Sequence, residues 1–466
     1  MTEGFPPPQP PEVGRDVPGS VPEKPFHRLS PLTPLVRGAI FVVAVAATTW
    51  DDLLSGNLGV FAGIVLAVLL FGAVYGWASW LRTRYWIDDR ELRIDTGVVY
   101  HQSRRIRIDR LQGIDIVQPF VARLFGLAEL KMDVAGGDQE GSLAFLPLAE
   151  AHRVRKVLLE RRDAVRRADA AEEGSGDVAT ESTEPPWVPP DHDIASLDLT
   201  MLALSTLLSP EMVLLLLFGL AAAISSLFVG GLVAAPGLPV IIGFGLVVFR
   251  RFSGYYGFTV SQTRAGLQVR RGLFERTTQT ITLARVMGVV ISEPVMWRPF
   301  GWAKLDVSLA GVGGTAESDG GPSASTVMPV AERAVIYALA THLLRGHDTD
   351  VDADIAAIEL VAPPRRARWL DPLAQRFMGV GLGRDVVVAR QGWFTRTTHA
   401  VRHARVQSVR LSQGPLQRRL RLADVHVDSP PGPVHVVARN RDAAEARRLW
   451  ETEAELAKRA RSAQRR

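Results

Sequence analysis

Long apolar runs and short alternating runs take turns along this chain, and they predict different elements. Residues 58–81, LGVFAGIVLAVLLFGAVYGWASWL, hold no charged side chain, and a helix of that length crosses a hydrocarbon core of about 30 Å. Residues 38–50 before them are apolar but short. Counted back to Leu32 they reach spanning length, with Arg37 snorkelling to the headgroups. A second pair follows at 212–232 and 233–249. It is preceded by a short apolar stretch, 201–208, that Pro210 and Glu211 cut off and that reads as an interfacial helix. These runs predict two transmembrane helical hairpins. The alternative, core helices of a soluble protein, fits poorly with runs that come in pairs at spanning length.

Charge placement orients the hairpins. Arg28, Arg37, Arg82, Arg84, Arg250 and Arg251 flank their outer ends, while the turns carry Asp51 and Asp52 or no charge. Arginine on the cytoplasmic side then places the N-terminus and the remaining domains inside. Trp50, Trp77, Trp80 and Tyr85 fall where an aromatic belt belongs. The net charge of +5 suits an anionic partner. There is no cysteine, which excludes disulfides, thiolate metal sites and cysteine nucleophiles. The Pro-rich start has no apolar signal core and reads as a disordered tail.

The alternating segments are one pattern written three times. GVVYHQSRRIRIDRLQGIDIVQPFVARLFGLAELKMDV begins at Gly97, GLFERTTQTITLARVMGVVISEPVMWRPFGWAKLDVSL at Gly272, and GWFTRTTHAVRHARVQSVRLSQGPLQRRLRLADVHVDS at Gly392. They align without a gap. The glycines coincide, as do Arg110, Arg285 and Arg405, then Arg123, Arg298 and Arg418, then Ala128, Ala303 and Ala423. Short β-type runs precede each glycine, at Glu91, Gly266 and Asp385, and more follow it. Each copy ends in a helical stretch, at 147–162, 331–344 and 442–458. The unit is therefore several antiparallel strands closed by a C-terminal helix, packed as a curved sheet or partly open barrel.

The repeated glycine, the R-[LV]-x-[GS]-[IV] segments at Arg110, Arg285 and Arg405, and the [FL]-x-x-A segments at Phe125, Phe300 and Leu420 resemble the bacterial PH-like domain family found in YdbT-like membrane proteins. The order hairpin–domain, hairpin–domain, domain looks like that family too. The resemblance runs from about residue 31 to 459. It implies a multi-domain α+β membrane protein: two transmembrane helical hairpins plus three PH-like split β-barrel domains, each capped by a C-terminal helix. The divisions are a disordered cytoplasmic tail (1–29), hairpin 1 (30–82), domain 1 (83–165), a disordered linker (166–195), hairpin 2 (196–251), domain 2 (252–347), a linker (348–370) and domain 3 (371–466). The family also implies no enzymatic activity, a companion of the same domain type, and a role in envelope stress or defence. The third copy departs from the pattern, with Arg419 and Arg421 where copy two has Pro299 and Gly301, and it lacks its own hairpin.

The repeated arginines Arg110, Arg285 and Arg405, with Arg123, Arg298 and Arg418, read either as a thrice-repeated anion or partner site or as groups that satisfy strand-end carbonyls. A residue kept in every copy serves most simply what the copies share, the fold. Arg104, Arg105 and Arg107 in copy one, and Arg402, Arg410, Arg419 and Arg421 in copy three, are candidates for facing anionic lipid, against the plainer reading of a solvated strand face. His399, His403, His426 and His435 fall in one copy, but with Asp424 and Asp428 they show no ligand spacing, and no metal or cofactor is expected. Phosphate-loop, nucleophile-elbow and zincin motifs are missing, and no enzyme is expected. The apolar runs hold almost no ionisable residue at depth, which argues against a transporter. Nucleic acid is not expected either, because the basic residues lack interleaved aromatics. The chain reads as a scaffold at the cytoplasmic membrane that binds the bilayer and assembles with itself or with a companion PH-like membrane protein. The alternative is a sensor of anionic headgroups.

Overall fold

The computed structural model describes residues 84–96, 102–134, 141–172, 192–229 and 237–464, apart from 89, 264–265, 311–324, 347, 349 and 431. Residues 27–28 and isolated positions between 59 and 81 are also described. Domain 1 begins with four antiparallel strands: β1 (His27–Arg28), β2 (Arg84–Ile87), β3 (Glu91–Thr96) and β4 (Gln102–Arg107). A 3-10 turn, Ile108–Arg110, leads into β5 (Leu111–Pro119), α1 (Phe120–Leu124), β6 (Leu127–Val134), β7 (Gly141–Pro147) and the closing helix α2 (Leu148–Glu172).

Domain 2 repeats the plan. After β8 (His192–Ser196), which extends into the stretch read as linker, come α3 (Leu199–Leu207), α4 (Pro210–Val229) and α5 (Gly237–Tyr255). The plan then resumes with β9 (Thr259–Thr263), β10 (Gly266–Arg271), β11 (Glu275–Thr282), β12 (Val286–Pro294), β13 (Trp302–Leu309), β14 (Thr326–Glu332) and α6 (Arg333–Arg345). Domain 3 comprises β15 (Gly379–Leu382), β16 (Val386–Gln391), β17 (Thr395–Arg402), β18 (Ser408–Ser412), α7 (Pro415–Arg419), β19 (Leu422–Asp428), β20 (Val436–Asp442) and α8 (Ala443–Gln464).

The domains are fused through their sheets. Strand order runs β7-β6-β5-β11-β10-β9-β8 in one sheet and β14-β13-β12-β17-β16-β15 in another. The first strand of each domain's second sheet therefore pairs with the last strand of the next domain's first sheet. Both joints use one register: Pro119 faces Glu275 at the first, and Pro294 faces Thr395 at the second. The two prolines hold the same place in their copies, as do Glu275 and Thr395.

Alternation along β12 shows how one strand serves two domains. Val289 and Ile291 point into the core of domain 2, and Val290 between them points into the core of domain 3 with Val387, Val401 and Val436. Successive side chains on a strand face opposite ways, so a run of consecutive apolar residues is what a strand buried on both faces requires. The core of domain 2 also takes in Val386, Val388 and Ala400 from domain 3. Residues 348–370 pack in part on domain 2, with Val351, Ala353 and Ile355 in that same core.

The repeated glycine has a steric cause. Gly272 and Gly392 sit at φ +109° and +90°, in the turns ahead of β11 and β17. A Cβ there would lie 1.9 Å from the Glu275 carbonyl oxygen in one case and 2.0 Å from the Thr395 oxygen in the other. Gly392→Ala is expected to destabilise the protein by more than about 1 kcal/mol, seen as a lower thermal midpoint. An unchanged midpoint would show that the turn relaxes.

The two transmembrane hairpins expected from sequence are not upheld. Among the described residues no single helix is long and apolar enough to cross a membrane. The helices Leu199–Leu207 and Pro210–Ala221 pass by length and composition only together, bent by 49° at the break between them. The physical reasons are local. Pro210 has no N–H to continue α3, and the Ser209 hydroxyl accepts the Met212 amide to start α4 instead. The first helix is also claimed by domain 2: Leu202 is buried, and Trp297 donates its indole N–H to the Ser205 carbonyl at 3.1 Å. At the far end α5 carries Arg250 and Arg251 and buries Tyr255 in the domain core. The first expected hairpin, 30–82, lies largely outside the described residues.

Candidate functional site

The six repeated arginines do not form one site; they are distributed along the joints and the ends of the array. Each member of the first set ends the 3-10 turn that links a domain's two sheets. Arg110 is exposed there. Arg285 donates through Nε and Nη2 to the Ala310 carbonyl, at 3.2 and 2.7 Å. Arg405 reaches back across the second joint and donates to the Ala284 carbonyl at 3.2 Å. Burial, and then the nearby charge of Arg402, lower its pKa.

The second set marks the joints more directly. Arg298 donates to the carbonyls of Glu293, Trp393 and Phe394, at 3.3, 2.6 and 3.4 Å, and lies over the Phe377 ring. Trp393 and Phe394 form the tip of the β16–β17 turn, so Arg298 clamps domain 3 to domain 2. At the first joint Arg123 lies over the Phe120 ring, and Phe120 packs edge-on against Phe274 in the equivalent turn of domain 2. In domain 3 the matching residue, Arg418, is exposed.

Sequence reasoning did not single out the carboxylate at the centre of the second joint. Glu293, 3% exposed, accepts from Arg333 of its own domain at 3.2 Å and from Arg396 of domain 3 at 3.4 Å. Nothing in the chain marks it out, because the matching positions carry Gln118 and Gln413.

At the far end, Arg366, Gln413, Arg418, Arg421, Asp442, Ala443 and Ala444 line an open cavity of about 390 Å³. It lies at the N-terminus of α8, where the helix dipole favours negative charge. Part of that demand is already met. Asp442 caps the helix by accepting the Ala444 amide at 3.0 Å, and it pairs with Arg366. Slight burial opposes ionisation of Asp442, but the Ala444 and Glu445 amides and Arg366 hold its carboxyl below the usual range. Arg366 also donates to the Arg421 carbonyl. Arg419 is exposed beside this cavity in sequence, and Arg421 adopts a left-handed backbone, φ 53°.

The remaining basic candidates lie on the strands β4, β17 and β18. Arg104 and Arg105 are exposed on β4. Arg107 forks onto Asp109, at 3.1 and 2.9 Å. Arg402 lies 3.5 Å from Asp348, and Arg410, exposed on β18, lies 3.6 Å from Asp428.

The histidines of domain 3 are separately engaged. His399 accepts the His435 amide at Nδ1, 3.2 Å; burial, then the charges of His435 and Arg439, lower its pKa to about 4. His426 contacts the Ser412 hydroxyl at 3.0 Å. His403 is paired with Glu453 at 2.8 Å, both fully buried. Among the described residues no group of three His, Asp or Glu side chains is placed to hold a metal ion.

Comparison with known proteins gives three matched segments. The bacterial PH domain family matches at residues 39–162, 212–347 and 348–457. A transmembrane protein of Bacillus subtilis (strain 168), YdbT, is 26% identical over 260 residues, covering 52% of each chain. This chain thus spans about half the length of the curated relative it matches.

Proposed function

Because the chain belongs to the bacterial PH domain family, we propose that it is a membrane-associated scaffold. Its three PH-like domains act as one β-structured platform at the cytoplasmic surface of the cell membrane, and its task is to bind a partner protein rather than to catalyse a reaction. The observation that carries this reading is the fusion of the domains through shared sheets in one repeated register. A lipid-binding module needs no such rigidity. A platform that holds partners at fixed spacing does, since fixed geometry raises effective concentration only for partners that match it.

Membrane association draws on two further facts. The relative's name describes a transmembrane protein. In this chain α4 leaves Leu214, Leu216, Leu217, Phe218 and Leu220 between 44% and 59% exposed, an apolar face that water alone does not suit.

A second reading, sensing of anionic headgroups, is favoured by one observation, the arginine-lined cavity at the start of α8. Salt separates the two. Crosslinking of the full chain in its native membrane should give a discrete protein adduct that persists at about 1 M salt, where the Debye length is about 3 Å. Capture of lipid alone, abolished by that salt, would replace the scaffold reading with headgroup sensing.

A further inference from the structure

The two internal joints define a rule for how these domains connect, and among the described residues the rule leaves two ends unfilled. The last strand of a first sheet receives the first strand of another domain's second sheet. β11 receives β5 and β17 receives β12. β4 is the corresponding strand of domain 1, and among the described strands it has β3 on one side and none on the other. β18 is the corresponding donor of domain 3, and it too is an outer strand. A second copy of this chain would therefore be the obvious occupant of β4, through its β18.

The side chains oppose that pairing. At the second joint Val290 faces His399 and Val289 faces Ala400. By position in the repeat, Arg410 replaces Val290, Arg104 replaces His399, and Arg105 replaces Ala400. The same register would set Arg410 of one copy directly against Arg104 of the next. Like charges directly opposed across a strand pair are destabilising. Burial adds to this. His399 on β17 and its counterpart Gln279 on β11 are 5% and 6% exposed, so Arg104 would lose its water while facing another cation. Charged side chains on an edge strand are a device against unwanted pairing, and here they discriminate by sign.

We propose that β4 is an acceptor edge for an antiparallel strand from a different polypeptide, and that Arg104 and Arg105 require carboxylates on that strand. The partner presents an acidic edge equivalent to β5 or β12, and a second copy of this chain is excluded. This rests on the scaffold reading above and names the partner's chemistry. Main-chain hydrogen bonds supply the affinity, and the charge match supplies the choice.

Charge reversal on the chain's own donor edge supplies a defined probe. Arg410→Glu should convert the chain into its own partner. The full chain in detergent should then self-associate at least about tenfold more tightly than the parent in sedimentation velocity. Arg104→Glu should do the same from the other side, and the double reversal should return to parental behaviour. Both side chains are exposed, so unchanged thermal midpoints verify folding. If both single variants fold and sediment like the parent, β4 accepts no strand and the proposal is overturned. If the parent already assembles head to tail and Arg410→Glu weakens it, the occupant is a second copy, and the charge rule is wrong. The native-membrane crosslink separates this proposal from the reading beneath it. Loss of the adduct in Arg104→Glu/Arg105→Glu supports the edge. Retention of the adduct there overturns the edge and leaves the scaffold intact, while no adduct in the parent overturns both.

Discussion

Glu293→Ala should loosen domain 3 from domain 2 and lower the stability of the joint by about 2–4 kcal/mol. The range starts from the usual cost of stripping one partner from a buried ion pair, about 3–5 kcal/mol. It is reduced because Arg396 and Arg333 are 25% and 44% exposed and keep part of their hydration. The geometry explains why one carboxylate matters at this place. Glu293 is the only one of the three that comes from the buried strand β12, and it takes one arginine from each domain. Without it, two guanidinium groups face each other across the seam beside a third, Arg298. Glu293→Gln should be much milder. The first joint already runs on that chemistry, with Gln118 facing Arg276. A chain of several domains does not melt in two states, so the measurement is hydrogen exchange along β17. Faster exchange at Thr395–Arg402 in the Ala variant, with β5 and β6 unchanged, is expected. Equal exchange in both places would show that backbone pairing holds the joint without the ion pair.

Much of the unit was legible in the sequence, because the repeat states it three times. Gly272 and Gly392 were visible as coincident glycines, and the left-handed turns require them. Arg285 donates to the Ala310 carbonyl just past β13. The joints were written less openly. The run Val289-Val290-Ile291 breaks the alternation that a half-buried strand shows, and that break is the mark of a strand with a domain on each face. In β18 the middle position becomes Arg410, in keeping with an outer strand among the described residues. Alignment of repeats equates positions but says nothing of which copies touch, so Glu293, Arg396 and the open edges could not be found that way. The hairpins failed for a related reason. Hydropathy marked the cut at Pro210 but says nothing of tertiary contact, so the bond from Trp297 to Ser205 that commits α3 to the domain, and the burial of Tyr255 at the end of α5, lay outside it.

Glu453→Ala should destabilise domain 3 by about 3–5 kcal/mol, the cost of leaving a buried partner uncompensated. His403 and Glu453 are 1% and 0% exposed, and they pair at 2.8 Å where domains 1 and 2 carry the apolar Ile108 and Leu283. The imidazole Nε2 also meets the Gly383 carbonyl at 3.2 Å, so the charged form has a partner at each nitrogen. Burial alone would lower the His403 pKa, but the hydrogen bond and charge of Glu453, with the Gly383 carbonyl, raise it above the ordinary value. A group whose folded pKa is raised contributes stability that is fully present below the unfolded value, about 6.5 for histidine. That contribution is lost as pH rises through the raised folded value. Domain 3 should therefore be more stable at pH 6 than at alkaline pH, and Glu453→Ala should flatten the dependence. Replacing both groups, His403→Leu with Glu453→Met, imitates the apolar core of the other two domains. It should recover most of the loss, because well-packed apolar substitutes for a buried pair are often neutral or stabilising. Hydrogen-exchange protection of α8, compared among the parent, single and double variants across that pH range, tests the account. A double variant as unstable as Glu453→Ala would show that the pair is needed for the packing of α8, and a pH-independent parent would show that His403 does not carry the charge.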